Sequence, residues 1–191
     1  MAHINWDFVF YIDPATLQPG PSGVPVPTYG NYGGAGYAEG TFGPPVAPYV
    51  QPKDELDRAF KRHDIASAEA DTVAEQSEAD IQLIRKLMRQ DDATQDAEAS
   101  LYSGIAALGM IGNLAVHGDL DLLPERRVER VVAEAVDDIL QGASALSFPE
   151  TLQALQWLGE VDDALAAASL DLDGLLATTG LDQYLPDGWP L

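Results

Sequence analysis

The stretch that decides the fold is residues 52–64, which read PKDELDRAFKRHD. Asp54 predicts a helix start, because its side chain can accept an exposed backbone N–H of the first turn, and Pro52 lies just outside it. Apolar side chains then recur every three to four residues, which is the spacing of one buried helix face. His63 lies on that face, whereas the next residue, Asp64, points about 100° further round the helix. The two side chains are therefore predicted to serve two neighbouring sites.

A second amphipathic helix is predicted over residues 75–90. Asp80 lies on its apolar stripe with Ile84 and Leu87, and a carboxylate in that position costs free energy unless it is paired. Two helices joined by a short turn pack as antiparallel neighbours. That arrangement predicts that Asp80 lies near His63.

A glycine-rich stretch precedes the first helix at residues 29–36, with the sequence YGNYGGAG. Such a stretch is usually a flexible surface loop, and this one lacks the spacing of a dinucleotide-binding fingerprint. Glycine adopts positive φ angles freely, so backbone carbonyls here could converge on one point. A convergent set of carbonyls completed by a carboxylate suits a hard cation.

The rest of the chain predicts a mostly α-helical fold. Apolar and polar residues alternate over residues 4–12, which predicts one half-buried strand, and the Pro- and Gly-rich residues 14–28 predict an irregular arm. Further helices are predicted at residues 96–117, 124–142, 148–159 and 160–170. We expect a core with an N-terminal arm over residues 1–118 and a helical C-terminal subdomain of unknown role over residues 119–191.

Charge narrows the classes of partner. The chain of 191 residues carries 10 Lys and Arg against 31 Asp and Glu, a net charge of −21. This balance argues against a nucleic-acid partner, because phosphate backbones require a basic footprint. Seven of the 10 basic residues lie within residues 53–89, around the two predicted helices. The chain has no cysteine, so disulfides and thiolate metal sites are excluded.

The N-terminus lacks the pattern of a cleaved signal peptide, which needs a basic segment followed by an apolar one. The longest apolar run, residues 104–116, is too short to cross a bilayer. We therefore expect a soluble protein, either secreted by a route without a cleaved signal or cytoplasmic before delivery.

Together, the two opening stretches resemble the calcium loop and the catalytic helix of the secreted phospholipase A2 family. The family patterns are YGxYCGxGG for the loop and PxDxxDxCCxxHDxCY for the helix, and this chain has both in the same order without the cysteines. It resembles more closely the cysteine-free phospholipase domain of parvovirus capsid proteins. There the HD pair is followed by an Ala-Asp pair that opens an apolar helix, here Ala79 and Asp80. The resemblance covers residues 29–90.

This resemblance implies a calcium-dependent carboxylic ester hydrolase that cleaves the sn-2 bond of phospholipids at a membrane surface, with two antiparallel catalytic helices. It implies His63 as the general base that activates water, and Asp80 as the carboxylate that holds the imidazole tautomer. It implies Asp64 as a calcium ligand. The other implied ligands are the backbone carbonyls of Tyr32, Gly34 and Gly36. The Gly34 N–H would stabilise the oxyanion together with calcium.

Three features depart from the family pattern. Ser67 replaces the tyrosine found four residues after the histidine, Tyr37 replaces the second glycine of the loop's GG pair, and the loop-to-helix connection is longer. Two other interpretations therefore stay open: a non-catalytic phospholipase-like module that binds lipid or protein, and a helical structural protein in which the motif is accidental. The basic residues either contact lipid phosphates or form a solvated face. A protein partner is expected at the helical C-terminal half.

Overall fold

The structure is a computed structural model, and it describes residues 2–13, 19–89 and 96–167. Of the described residues 61% are helical, which confirms the predicted mostly α class. The helices are α1 (Glu55–Glu69), α2 (Val73–Leu87), α3 (Ala97–His117), α4 (Glu125–Ala145) and α5 (Phe148–Ala167). A short 3-10 helix, Leu120–Leu122, precedes α4.

A small antiparallel sheet covers the N-terminal part. Its strands are β1 (Ile4–Ile12), β2 (Pro19–Gly20) and β3 (Val24–Tyr29), in the order β2-β1-β3, and a separate short hairpin pairs β4 (Tyr37–Ala38) with β5 (Thr41–Phe42). The strand predicted over residues 4–12 is confirmed. The prediction of an irregular arm over residues 14–28 is wrong where β3 forms. Residues 14–18 lie outside the described residues.

Prolines explain why β3 does not read as a strand in the sequence. Pro25 and Pro27 have no N–H to donate, which is tolerated at a sheet edge, and β3 is an edge strand. Two helices bond to its carbonyls instead. Trp157 Nε1 donates to the Pro25 carbonyl at 2.7 Å, and the Tyr102 hydroxyl donates to the Pro27 carbonyl at 3.0 Å. The sheet is thereby joined to α5 and α3.

The helix starts follow their capping residues. Asp54 caps α1, as predicted, by accepting an N–H of the first turn. Helix α2 begins at Val73, before the predicted residue 75, because Thr72 and Glu75 form a capping box. Asp96 caps α3 at the start predicted for this helix, residue 96. Local sequence therefore sets the positions of the three helices that surround the candidate site.

One helix, α5, replaces the two predicted over residues 148–159 and 160–170. Gly159 does not break it, because a glycine in an exposed helix costs only about 1 kcal/mol relative to alanine, and nothing lies within 4 Å of a Cβ placed there. Residues 168–170 lie outside the described residues. Several large apolar side chains of α5 are exposed: Phe148, Leu152, Leu155 and Leu158. The protein partner expected at the C-terminal half stays a prediction.

Helix α3 is the centre of the core. It packs against α2 and α4, and one hydrophobic cluster joins Ile111 and Leu114 of α3 to Val131 and Val132 of α4. This cluster crosses the boundary predicted at residues 118–119. By length and composition α3 is apolar enough to cross a membrane, but 56% of its most apolar window is buried inside the protein. Its place in the core explains that composition.

Two glycines set the close contact between α3 and α4. A Cβ at Gly104 would lie 2.4 Å from the Ala135 carbonyl oxygen, and a Cβ at Gly142 would lie 2.4 Å from the Leu101 backbone nitrogen. We expect Gly104→Ala to lower the free energy of unfolding by about 1–3 kcal/mol, because the two helices must move apart. Chemical denaturation measures this difference.

Gly109 supplies the matched control on the same helix. Nothing lies within 4 Å of a Cβ placed there, so Gly109→Ala is expected to stabilise the fold by about 0.5–1 kcal/mol through helix propensity. Equal effects of the two substitutions would contradict a tight helix contact at Gly104.

Candidate functional site

The hairpin of α1 and α2 brings His63 against Asp80. Nε2 of His63 lies 2.7 Å from Oδ1 of Asp80. One turn further along α1, Ser67 Oγ accepts from Gln76 Nε2 at 2.9 Å. The later residue on α1 thus meets the earlier residue on α2, so the two helices are antiparallel. The structure places Asp80 near His63, and the catalytic roles of both residues stay predictions.

Asp80 is completely buried, with hydrogen bonds to both carboxylate oxygens. Its relative exposure is 0%, so its charge depends on partners within the protein. Besides His63, Oδ1 has Gln76 Nε2 at a longer 3.4 Å, and Oδ2 accepts from Asn113 Nδ2 at 2.6 Å. Because Asn113 belongs to α3, three helices hold this one carboxylate in a fixed orientation.

Sequence reasoning misses Asn113 and Gln76. Asn113 is a single amide in the apolar run 104–116, and an amide in such a run needs a polar partner; that was the available signal. Ser67, which stands where the resembling family has tyrosine, accepts from Gln76 and lies 3.4 Å from His63 Nε2. Two amides, those of Gln76 and Asn113, therefore supply hydrogen bonds to the Asp80 carboxylate.

Asp64 lies on the other side of the imidazole. Its Oδ1 is 3.7 Å from His63 Nδ1, and its Oδ2 is buried without a hydrogen-bond partner among the described residues. Burial raises the pKa of Asp64 to about 6, against the attraction of His63, which lowers it. A buried oxygen without a partner costs free energy. This oxygen is therefore available to a ligand that the described residues do not supply.

The imidazole of His63 thus lies between two carboxylates. Burial disfavours its charged form, but the carboxylates of Asp64 and Asp80 outweigh burial and raise the pKa of His63 to about 9. The two carboxylates therefore favour the protonated form of the ring. A cation at Asp64 would oppose this protonation, because like charges repel.

Asp57 holds the glycine-rich stretch against α1. Its fully buried carboxylate accepts three backbone N–H bonds, from Asn31 at 2.9 Å, Tyr32 at 2.8 Å and Lys53 at 2.7 Å. Burial raises the pKa of Asp57, although these hydrogen bonds lower it in part. Glycine is needed at Gly30, where φ is 61° and a Cβ would lie 2.5 Å from the Asp57 carboxyl carbon. From sequence, Asp57 reads only as a first-turn helix residue.

Asp54 ties a second part of the same region to the start of α1. Besides capping the helix, its Oδ2 accepts from the Tyr29 hydroxyl at 2.9 Å and from the Ala2 N–H at 2.8 Å. Burial, followed by the negative charge of Asp54, raises the pKa of Tyr29, so the phenol keeps its proton. The glycine-rich stretch is therefore held at its first residue as well as at its centre.

The loop residues predicted as carbonyl ligands differ in their partners. The Gly34 carbonyl accepts the Tyr37 N–H at 3.1 Å, and the Gly36 carbonyl accepts the Gly43 N–H at 2.7 Å. Among the described residues, the Tyr32 carbonyl accepts no hydrogen bond, and the Gly34 N–H, predicted to bind the oxyanion, donates none. A carbonyl oxygen has two lone pairs, so the bonds to Gly34 and Gly36 remain compatible with a cation.

The Tyr32 side chain joins the glycine-rich stretch to the segment before α1 and to α1 itself. Its hydroxyl donates to the Val50 carbonyl at 2.6 Å, and Lys61 Nζ lies 5.4 Å from the centre of its ring. Burial, followed by the negative charges of Glu39 and Asp57, raises the pKa of Tyr32 to about 12. The Tyr32 side chain therefore holds the glycine-rich stretch against Val50 and Lys61.

A calcium site at Asp64 stays a prediction. Within residues 2–13, 19–89 and 96–167, no group of three or more His, Cys, Asp or Glu side chains could hold a metal ion. A cation would therefore depend on one carboxylate and on neutral oxygen ligands, which suits calcium better than zinc. The unpaired Oδ2 of Asp64 supports such a ligand.

Comparison with known proteins gives no family for this chain. No family model matches its sequence, no curated protein matches it, and no solved structure matches its fold. The arrangement of His63, Asp64 and Asp80 is therefore the basis for a proposed function.

Proposed function

We propose that this protein hydrolyses the sn-2 ester of glycerophospholipids in a calcium-dependent reaction. The observation that carries the proposal is the position of the His63 ring. Its Nε2 lies 2.7 Å from the buried Asp80, and its Nδ1 lies 3.7 Å from Asp64, which has one oxygen without a partner. One ring nitrogen is thus fixed, and the other is directed towards the candidate cation site.

In this proposal His63 is the general base. The Asp80 carboxylate favours the tautomer with the proton on Nε2, which leaves the lone pair on Nδ1. A water molecule beside Nδ1 gives its proton to the ring while its oxygen attacks the ester carbonyl, and the ring then returns the proton to the leaving glycerol oxygen. Water is added across the ester bond, so the products are a fatty acid and a lysophospholipid.

Calcium would be held by the Asp64 carboxylate and by three loop carbonyls: Tyr32, Gly34 and Gly36. When bound, it supplies a positive centre that stabilises the charge developing on the ester oxygen. The open Gly34 N–H is a second donor for the same oxygen. With its charge neutralised, Asp64 no longer adds to the raised pKa of His63, and the ring can accept a proton.

Exposed apolar side chains near the loop support contact with a lipid surface. They lie on β5 and in the segment between β5 and α1: Phe42, Val46, Tyr49 and Val50. Phe42 stacks on Phe8 of β1, with the ring centroids 4.9 Å apart. Phe42 is therefore held against the sheet, and aromatic side chains favour the boundary between water and lipid.

The alternative is a non-catalytic module that binds lipid or protein. The observation that favours it is the bonding of the loop, in which Gly34 and Gly36 already use their carbonyls within the chain. Such a module needs the exposed apolar side chains but has no need for a base. Its binding would therefore survive the loss of His63, whereas hydrolysis would not.

Asp64→Asn tests the role of calcium. Asparagine keeps the shape and one oxygen but removes the charge, so the calcium concentration for half-maximal hydrolysis is expected to rise about 10–100-fold. The measurement is a calcium titration of fatty-acid release from mixed phospholipid vesicles, with EDTA as the zero point.

Asp71→Asn is the control for this titration, because Asp71 is an exposed carboxylate between α1 and α2. It is expected to leave the calcium requirement unchanged. Full hydrolysis by the unaltered protein in EDTA would contradict the calcium mechanism.

A further inference from the structure

A cleft between α1 and α2 concentrates positive charge beside His63. It has a volume of about 280 Å³ and is lined by His63, by uncharged residues and by basic side chains. The basic side chains are Arg62, Arg85, Lys86 and Arg89. No acidic side chain lines the cleft among the described residues. In a chain with a net charge of −21, this local concentration calls for an explanation.

Ion pairing does not account for these charges. The residues three and four positions away from Arg62 are all non-acidic: Arg58, Ala59, Ile65 and Ala66. Neither Arg62 nor Lys86 forms an ion pair with any described residue. Arg85 lies 3.5 Å from Glu78, but both side chains are exposed, and such a pair contributes little. The cleft therefore keeps its positive charge.

The helix dipole accounts for only part of the cluster. Arg85 and Lys86 lie in the last turn of α2, where a cation is favoured by the carbonyl end of the helix. Arg62 lies in the middle of α1, where the dipole gives no such benefit, yet it lines the same cleft. Like charges held close to one another repel. A bound anion would relieve that repulsion.

We propose that this cleft binds a phosphate group. The guanidinium of Arg62 presents a planar set of N–H donors that matches phosphate oxygens, and Lys86 adds a compact positive charge. Because His63 also lines the cleft, the phosphate in the proposed reaction belongs to the headgroup of an anionic phospholipid. That assignment to a lipid rests on the proposed function, whereas phosphate recognition rests on the cleft alone.

Binding to vesicles of ether-linked lipids tests the proposal, because these lipids lack the ester and are not hydrolysed. The full chain is sedimented in EDTA with phosphatidylcholine vesicles that contain or lack a minor share of phosphatidic acid. The double substitution R62Q/K86Q is expected to weaken binding to the phosphatidic-acid vesicles about 30-fold, from the usual contribution of two cations near an anionic surface. The matched control, R126Q/R130Q on α4, removes the same charge elsewhere and is expected to leave binding unchanged.

Inorganic phosphate is the second probe, read by the thermal unfolding midpoint of each variant. If the cleft binds phosphate, phosphate raises the midpoint of the unaltered protein and of R126Q/R130Q but not that of R62Q/K86Q. Phosphate binding without vesicle binding also supports a phosphate site in the cleft, and it identifies the ligand as a soluble phosphate compound. Equal losses in the two double variants, or no response to either probe, overturn the proposal. Neither probe is hydrolysed, so the result is independent of esterase activity.

Discussion

His63→Gln is expected to lower the rate of phospholipid hydrolysis by a factor of about 10²–10⁴. Glutamine keeps an amide that can donate to Asp80, but it cannot take up a proton from water, so the base is lost while the helix hairpin keeps its packing. The measurement is fatty-acid release from mixed phospholipid vesicles at saturating calcium. Thermal unfolding of the same samples checks that the fold is retained.

His117→Gln is the matched control, because His117 lies at the C-terminal end of α3 and, among the described residues, no hydrogen bond or ion pair joins it to the His63–Asp80 pair. Its rate is expected to equal that of the unaltered protein. If His63→Gln released fatty acid at that same rate, the esterase proposal would be lost. Vesicle binding by a chain that releases no fatty acid, retained in His63→Gln, would favour the binding module.

Local signals in the sequence predict the helices that carry the candidate site. Asp54 caps α1 as expected, and Asp96 caps α3 at its predicted start, because a cap depends on one side chain and the few residues that follow it. The position of Asp80 also has a local cause. A carboxylate on an apolar stripe requires a polar partner, and His63 is the polar residue on the facing stripe of the neighbouring helix.

Sequence patterns do not predict contacts between segments that are distant in the chain. Asp57 accepts from Asn31 and Tyr32, which lie 26 and 25 residues earlier in the chain, and Asn113 reaches Asp80 across 33 residues. No spacing of residue types encodes such a contact, because it depends on how the loop and the helices assemble. Sequence patterns missed strand β3 for another reason. Its prolines are typical of a loop, and they are acceptable in a strand only because β3 lies at the edge of the sheet.

Asp57→Ala is expected to lower the free energy of unfolding by about 3–5 kcal/mol. Three backbone N–H groups, those of Asn31, Tyr32 and Lys53, lose their common acceptor, and each buried donor left without a partner costs about 1–3 kcal/mol. Partial access of water to the vacated space limits the sum. Urea denaturation followed by tryptophan fluorescence measures the difference.

Asp57→Asn removes the charge of this side chain but keeps its shape. With the amide oxygen in place of Oδ1, the bonds from Asn31 and Tyr32 are kept and only the Lys53 N–H loses its acceptor, so the expected loss is about 1–3 kcal/mol. Because the same loop carries the proposed calcium ligands, Asp57→Ala is also expected to raise the calcium requirement for hydrolysis. If Asp57→Ala were as stable as the unaltered protein, this carboxylate would not hold the loop, and calcium alone would have to order the glycine-rich stretch.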